Sequence, residues 1–137
     1  MADKDNCLKG AIGEQIFANH FLENRIFFSQ PAYDLWGADF VVEWEGALHK
    51  VNVKTMTKKT CHKNHYYSVN FQRGSRGTKK YNISDVTYFG VVNTFYKRIW
   101  MVPNSDSLPQ TLHYFGPLEN RLVLRSNSFY WEKYRIK

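Results

Sequence analysis

One acid, one amide and one lysine are spaced so that they can meet a single phosphate. Asp39 begins an alternating segment, and Asn52 and Lys54 lie two residues apart in the next such segment. Because side chains alternate along a strand, Asn52 and Lys54 project to the same side, and Asp39 on the adjacent strand can reach the same point. Phosphodiester hydrolysis uses such a set: oxygens that hold a divalent ion, a water made nucleophilic beside it, and a cation that stabilises charge on phosphorus.

Each of these residues also has a plainer interpretation. Asp39 can be a solvated acid at a strand start, and Lys54 can be a lysine on a sheet edge or a solvent-facing side. Asp34, five residues before Asp39, competes with it as the metal ligand. The spacing alone leaves these alternatives open.

A helix and a hairpin are predicted to position the set. Residues 8–24 carry apolar side chains at spacings of three to five and predict an amphipathic helix capped by Asp5 or Asn6. Residues 38–44 and 47–54 alternate about the turn Glu45-Gly46 and predict a β-hairpin, with Val51 and Val53 on one face and Asn52 and Lys54 on the other. The apolar helix positions are Leu8, Ile12, Ile16, Phe17, Phe21 and Leu22.

Further strands are predicted at residues 26–28, 66–71, 86–92, 98–102 and 121–124, and residues 129–136 predict a short helix or a strand. A helix followed by mostly antiparallel strands indicates an α+β fold in which the helix packs on one face of the sheet. The aromatic residues near the end are best explained as core or subunit interface; they are Phe129, Tyr130, Trp131 and Tyr134.

Positive charge is concentrated in one segment. The net charge is +7 from 19 Lys+Arg and 12 Asp+Glu, yet residues 46–84 hold nine basic residues and no acid, so the whole excess lies there. Aromatic side chains are interleaved, namely Tyr66, Tyr67, Phe71 and Tyr81. This pattern favours a nucleic-acid partner, with phosphates neutralised by cations and aromatics packed on sugars or bases, over a solvated basic loop.

We expect the contacts to nucleic acid within residues 50–80. The Gly- and Arg-rich loop from Arg73 to Lys80 has no apolar anchor and is expected to be mobile without ligand. Its two arginines suit either guanine edges or phosphates. The expected contact residues are Lys58, Lys59, Lys63, Arg73, Arg76, Lys79 and Lys80.

The composition predicts one globular domain spanning residues 1–137, because 43% hydrophobic residues suffice for a single core. No apolar run approaches membrane-spanning length and no signal peptide is evident, so a cytoplasmic, organellar or nucleoid location is expected.

Two cysteines without CxxC spacing exclude a disulfide framework, the usual zinc fingers and a thioredoxin motif. Cys61, His62 and His65 lack a convincing four-ligand spacing for zinc. The two histidines are better explained as phosphate or groove contacts, or as residues without a role.

These motifs resemble those of the PD-(D/E)XK nuclease superfamily. Gly10-Ala11-Ile12-Gly13-Glu14 is similar to that family's opening G-x-x-G-E helix, and residues 39–46 are similar to its acid-led second strand. Val51-Asn52-Val53-Lys54-Thr55 falls where the family shows V-(E/Q)-V-K-T, and residues 81–92 and 100–103 resemble later strands of small members. The sequence most resembles small homing endonucleases encoded in group I introns, with Holliday-junction resolvases second.

The resemblance implies a restriction-endonuclease-like core, a central mixed sheet with the N-terminal helix packed on it. It implies that Asp39 holds Mg²⁺, that Lys54 positions the attacking water or stabilises the transition state, and that Glu14 supports the metal or its water shell. Asn52 departs from the pattern, since most relatives have Glu or Asp there while the homing branch can use Gln. A neutral ligand at Asn52 should weaken Mg²⁺ binding, because Mg²⁺ prefers carboxylates and water.

We therefore expect a Mg²⁺-dependent endonuclease that cleaves double-stranded DNA, most like a sequence-specific homing endonuclease. Because one small chain presents one site and cutting both strands generally takes two, a homodimer or homotetramer is expected. Two alternatives stay open: a structure-selective junction resolvase, and a DNA-binding module in which Asn52 marks the loss of cleavage.

Overall fold

The computed structural model describes residues 2–32, 36–62, 64–73, 79–117 and 131–136. In chain order the elements are α1 (Ala2–Glu23), β1 (Phe28–Ser29), β2 (Phe40–Trp44), β3 (Ala47–Thr55), β4 (Thr57–Cys61), β5 (Asn64–Asn70), β6 (Gln72–Arg73), β7 (Lys79–Lys80), β8 (Tyr88–Asn93), β9 (Arg98–Pro103), β10 (Thr111–Tyr114), a 3₁₀ helix (Trp131–Tyr134) and β11 (Arg135–Ile136).

The central sheet has six strands in the order β1-β2-β3-β8-β9-β11. The pair β3–β8 is parallel, and the other neighbours are antiparallel. The predicted α+β class with a mixed sheet is therefore confirmed. Because β3 lies inside this sheet, the interpretation of Lys54 as a sheet-edge lysine is wrong.

The β2–β3 hairpin forms where the sequence predicts it. Its turn residues Glu45 and Gly46 have φ of 51° and 84°. Positive φ at both central residues is typical of the type I′ turn, whose twist matches that of the flanking strands. The pairing of Phe40 with Val51 sets the register, and one further step places Asp39 beside Asn52.

Helix α1 packs on one face of the central sheet through a stripe four residues apart: Gly13, Phe17 and Phe21. Phe17 and Phe21 are fully buried, in one core with residues of β2, β3, β8 and β9. Gly13 makes the closest approach, because a Cβ there would overlap the Thr55 hydroxyl of β3. This close packing therefore places Glu14, the residue after Gly13, near the hairpin.

Two details of the predicted helix are wrong. It begins at Ala2, so Asp5 and Asn6 lie inside it and cannot cap it. Leu8, Ile12 and Leu22 are 61%, 45% and 66% exposed. At 100° per residue these three side chains project away from the side of the helix that carries Phe17. The six apolar residues of the predicted helix therefore do not form a single buried face.

A second sheet, in the order β10-β5-β4, covers the other face of the central sheet. Its inward side chains include Val69 and Tyr114, which pack with Phe89, Val91 and Trp100 of the central sheet in a second core. Strand β4 was not predicted.

Other boundaries shift by one or two residues. The predicted strand 26–28 is β1 (Phe28–Ser29), 86–92 is β8 (Tyr88–Asn93), and 98–102 is β9 (Arg98–Pro103). Residues 129–136 were predicted as helix or strand, and the described part holds both, a 3₁₀ helix followed by β11.

The aromatic residues near the end contribute to the core, as predicted. Trp131 is 5% exposed and its Nε1 donates to the His113 carbonyl oxygen at 2.9 Å. The predicted strand 121–124, Phe129 and Tyr130 lie outside the described residues. Within the described residues, no helix is long and apolar enough to cross a membrane.

Candidate active site

Asp39 is held at the base of the hairpin by backbone hydrogen bonds. Its amide donates to the Val51 carbonyl at 2.8 Å, and its Oδ2 accepts from the Val53 amide at 2.7 Å. The second bond fixes the carboxylate against β3 just where β2 begins. A half-buried acid held in this way is preorganised, since its side chain need not be ordered when a ligand arrives.

Asn52 is 7% exposed and supplies the unusual feature of the site. Its Nδ2 donates to the Gly37 carbonyl at 2.7 Å, whereas its Oδ1 is buried without a hydrogen-bond partner. Leaving a buried acceptor unsatisfied costs about 1–3 kcal/mol. An amide oxygen is a ligand that hard divalent cations accept, so this orphaned atom fits a metal site.

Lys54 lies two residues along the same strand and is half-buried. Its Nζ donates to the Tyr81 hydroxyl at 3.0 Å and to the Gln72 carbonyl at 3.3 Å, and it lies 4.8 Å from the centre of the Tyr81 ring. Val51 and Val53 belong to the core under α1. The predicted division of β3 into a valine face and an Asn52–Lys54 face is therefore confirmed.

Glu14 follows Gly13 on α1. Burial raises the pKa of the Glu14 carboxyl above its usual value, and the nearby negative charge of Asp39 raises it further. Two carboxylates that disfavour each other's charged form create a place where a cation is favourable. No group of three or more His, Cys, Asp or Glu converges within the described residues, so a metal site at Glu14 and Asp39 needs a further oxygen, such as that of Asn52.

Tyr81 joins the lysine to the loop that precedes β2. Gly37 has φ of 99°, and a Cβ there would meet the Tyr81 ring. The Arg73 guanidinium lies 5.3 Å from the centre of the same ring, and its Nη1 donates to the Trp36 carbonyl at 3.3 Å. Arg73, predicted as a nucleic-acid contact, therefore lies beside the catalytic candidates.

The sequence did not indicate a role for Gly37 or Gln72, and it did not indicate the hydrogen bond between Tyr81 and Lys54. Gly37 is the one of these that the sequence could have indicated, because a glycine just before a strand is typical of a turn with positive φ. Tyr81 and Gln72 reach Lys54 across 27 and 18 residues of chain, and no local pattern marks such contacts.

The predicted nucleic-acid contacts divide into two groups. Lys58 and Lys59 are exposed on β4, and Lys79 and Lys80 are exposed on β7. Lys80 Nζ donates to the Asp106 carbonyl oxygen at 3.3 Å. Lys63, Arg76 and the competing metal ligand Asp34 lie outside the described residues.

The loop expected to be mobile begins and ends in paired strands, because Gln72–Arg73 and Lys79–Lys80 form a two-stranded sheet. Residues 74–78 lie outside the described part. One interleaved aromatic was assigned wrongly: Phe71 is 4% exposed and belongs to the core, so its ring cannot pack on a base. The basic segment folds over a core and needs apolar anchors of its own.

Comparison with known proteins gives two findings. A sequence model of the PD-(D/E)XK endonuclease family matches residues 4–114. Among solved structures, a bacterial homing endonuclease, I-Ssp6803I, matches with a TM-score of 0.66 and 23% identity, over 93% of this chain and 84% of that chain. No curated protein matches the sequence. The structural likeness confirms the restriction-endonuclease-like core.

Proposed function

The chain belongs to the PD-(D/E)XK endonuclease family, and we propose that it is a Mg²⁺-dependent enzyme that cleaves double-stranded DNA at a specific sequence. An endonuclease of this family hydrolyses phosphodiester bonds, and the family generally uses divalent metal ions. The observation that carries the proposal is the buried, unpartnered Oδ1 of Asn52, beside Asp39 in the strand register and two residues from Lys54.

The proposed ligands are Asp39, Asn52 and Glu14. Their elements differ, since Asp39 precedes β2, Asn52 lies on β3 and Glu14 on α1, so the site forms only when hairpin and helix pack together. A Mg²⁺ ion held by these residues would supply Lewis-acid chemistry, polarising a phosphoryl oxygen and lowering the pKa of a bound water. Burial and the charge of Asp39 raise the pKa of Glu14, so a bound cation would favour its charged form.

Lys54 stabilises the charge that develops on the scissile phosphate in this proposal. Its ammonium is held by the Tyr81 hydroxyl and the Gln72 carbonyl. A cation held before the reaction needs little reorganisation in the transition state, which is the main advantage of a preorganised site.

Sequence specificity and a homing role are proposed from the motifs and from the fold shared with the homing endonuclease. A homodimer or homotetramer is proposed with them, because one chain supplies one site and a double-strand break needs two cuts. The basic segment, residues 50–80 of the single domain, then supplies the DNA contacts.

The test is cleavage of supercoiled plasmid and of a four-way junction, with Mg²⁺ and with chelator, beside Asp39→Ala and Lys54→Ala. Metal-dependent cutting that is lost in both variants supports the site, and discrete plasmid fragments support sequence specificity. Cutting confined to the junction would replace the homing role with resolution. Absence of cutting by a folded, DNA-binding protein would contradict the proposal.

A further inference from the structure

A polar groove opens from Lys54 onto the outer face of the second sheet. Its volume is about 330 Å³, and it lies between the end of β3 and strands β4, β5 and β10. The polar residues that line it are Lys54, Thr55, Thr57, Lys59, Ser68, Asn70 and Thr111. Its lining residues include two lysines, three threonines, a serine and an asparagine, and none of them is acidic.

Strand register explains why these side chains share one face. Thr57 pairs with Ser68, and Asn70 pairs with Thr111. Lys59, two residues after Thr57, projects to the same side of β4. The alternate positions of β5 and β10 are the apolar ones that face the central sheet, so the polar set is turned to solvent.

The hydroxyls of Thr57, Ser68 and Thr111 have no hydrogen-bond partner within the described part of the chain. They line the same groove as Lys59, which is exposed on β4 and adds positive charge. A phosphate group is the ligand that matches hydroxyl donors combined with ammonium charge.

We propose that this groove binds a backbone phosphate of the DNA next to the scissile one, with Lys59 as its cation and Ser68 and Thr111 as its hydroxyl donors. The inference rests on the proposed function for the identity of the ligand as DNA. It goes beyond that function because it assigns different roles to Lys58 and Lys59, which are neighbours in the sequence and were both predicted to contact DNA. Lys59 lines the groove, whereas Lys58 pairs with Tyr67, whose ring packs against the second core.

The experiment measures binding of a short fluorescein-labelled duplex by anisotropy in chelator, so that cleavage cannot interfere. Salt is varied between about 50 and 200 mM for the wild type, Lys59→Ala and Lys58→Ala. Loss of one phosphate contact should reduce the slope of log K against log salt by about 0.9. We expect that reduction for Lys59→Ala and less than half of it for Lys58→Ala.

Ser68→Ala and Thr111→Val test the hydroxyls, with an expected loss of affinity of about tenfold each, since hydrogen bonds to charged groups are the stronger ones. Lys59→Arg should restore the slope, which a merely structural role for the lysine would not require. Circular dichroism melting shows whether each variant is folded.

Equal slopes for Lys58→Ala and Lys59→Ala would contradict phosphate binding in the groove. This result would not affect the proposal that the wild type cleaves DNA. Unequal slopes in a protein that binds DNA but never cuts it would keep the groove and overturn the proposed function. Wild-type protein that neither binds nor cuts DNA would overturn both.

Discussion

Asn52→Asp is the most informative single change, because it adds a carboxylate beside Asp39 and removes a hydrogen bond that this fold uses. The amide Nδ2 donates to the Gly37 carbonyl at 2.7 Å, and a carboxylate cannot make that donation. The new charge would also be nearly buried, beside Asp39 and on the same hairpin. The substitution should therefore weaken the metal-free protein and strengthen metal binding.

The magnitudes follow from the contacts. A lost hydrogen bond costs about 1 kcal/mol, and burying a carboxylate without a donor adds about 1–3 kcal/mol. In chelator, we expect the free energy of unfolding to fall by about 2–4 kcal/mol and the melting temperature by roughly 10 °C. A tenfold gain in Mg²⁺ affinity would return about 1.4 kcal/mol at saturating metal.

The assay is thermal unfolding across a titration of MgCl₂, with Asn93→Asp as the matched control. Asn93 is also fully buried, and its Oδ1 accepts from the Tyr96 amide at 2.8 Å. That variant buries a carboxylate away from the site, so it should be destabilised without any gain in metal response. If Asn52→Asp melts like the wild type in chelator and responds to Mg²⁺ no more strongly, Asn52 does not face a metal.

Three further predictions test the surroundings of the site. Gly13→Ala should lower stability by about 1–2 kcal/mol in thermal melts because its Cβ meets Thr55, whereas Gly10→Ala, with nothing within 4 Å, should raise it by about 0.5–1 kcal/mol; the same sign for both would contradict the close approach of the helix. The folded state raises the pKa of Glu14, so its charge opposes folding above that pKa; Glu14→Gln should raise the chelator melting temperature more at about pH 8 than at about pH 4, and should reduce the Mg²⁺ shift. Tyr81→Phe should lower the single-turnover cleavage rate about tenfold with DNA affinity unchanged, because the ring stays while Lys54 loses an acceptor; an unchanged rate would remove Tyr81 from the site.

Short-range patterns predicted much of this molecule. The hairpin and the shared face of Asn52 and Lys54 depend on alternation and on one turn, all within a few residues. Strand β4 was missed because Thr57–Cys61 reads Thr-Lys-Lys-Thr-Cys, which lacks an apolar alternation. Its backbone pairs with β5 through hydrogen bonds, and such pairing leaves little trace in side-chain polarity.

Long-range contacts explain the rest. The helix packs through the stripe of Gly13, Phe17 and Phe21 and leaves other apolar side chains exposed, because the glycine lets α1 approach Thr55 closely. The hydrogen bonds from Lys54 to Tyr81 and Gln72 likewise join chain segments that meet only in the folded state. Such contacts are set by packing, and one sequence without its fold does not show them.

The position of Asn52 argues against treating it merely as a degraded acid. Its two polar atoms differ: Nδ2 donates to the Gly37 carbonyl in the loop that leads into Asp39, whereas Oδ1 is buried without a hydrogen-bond partner. An aspartate would supply two acceptors and could not donate to the Gly37 carbonyl. In a site where Asp39 already raises the pKa of Glu14, a third carboxylate would add repulsion whenever metal is absent. In the proposed site, an amide at position 52 would bind Mg²⁺ more weakly than a carboxylate, but it keeps the hydrogen bond to the Gly37 carbonyl when no ion is bound.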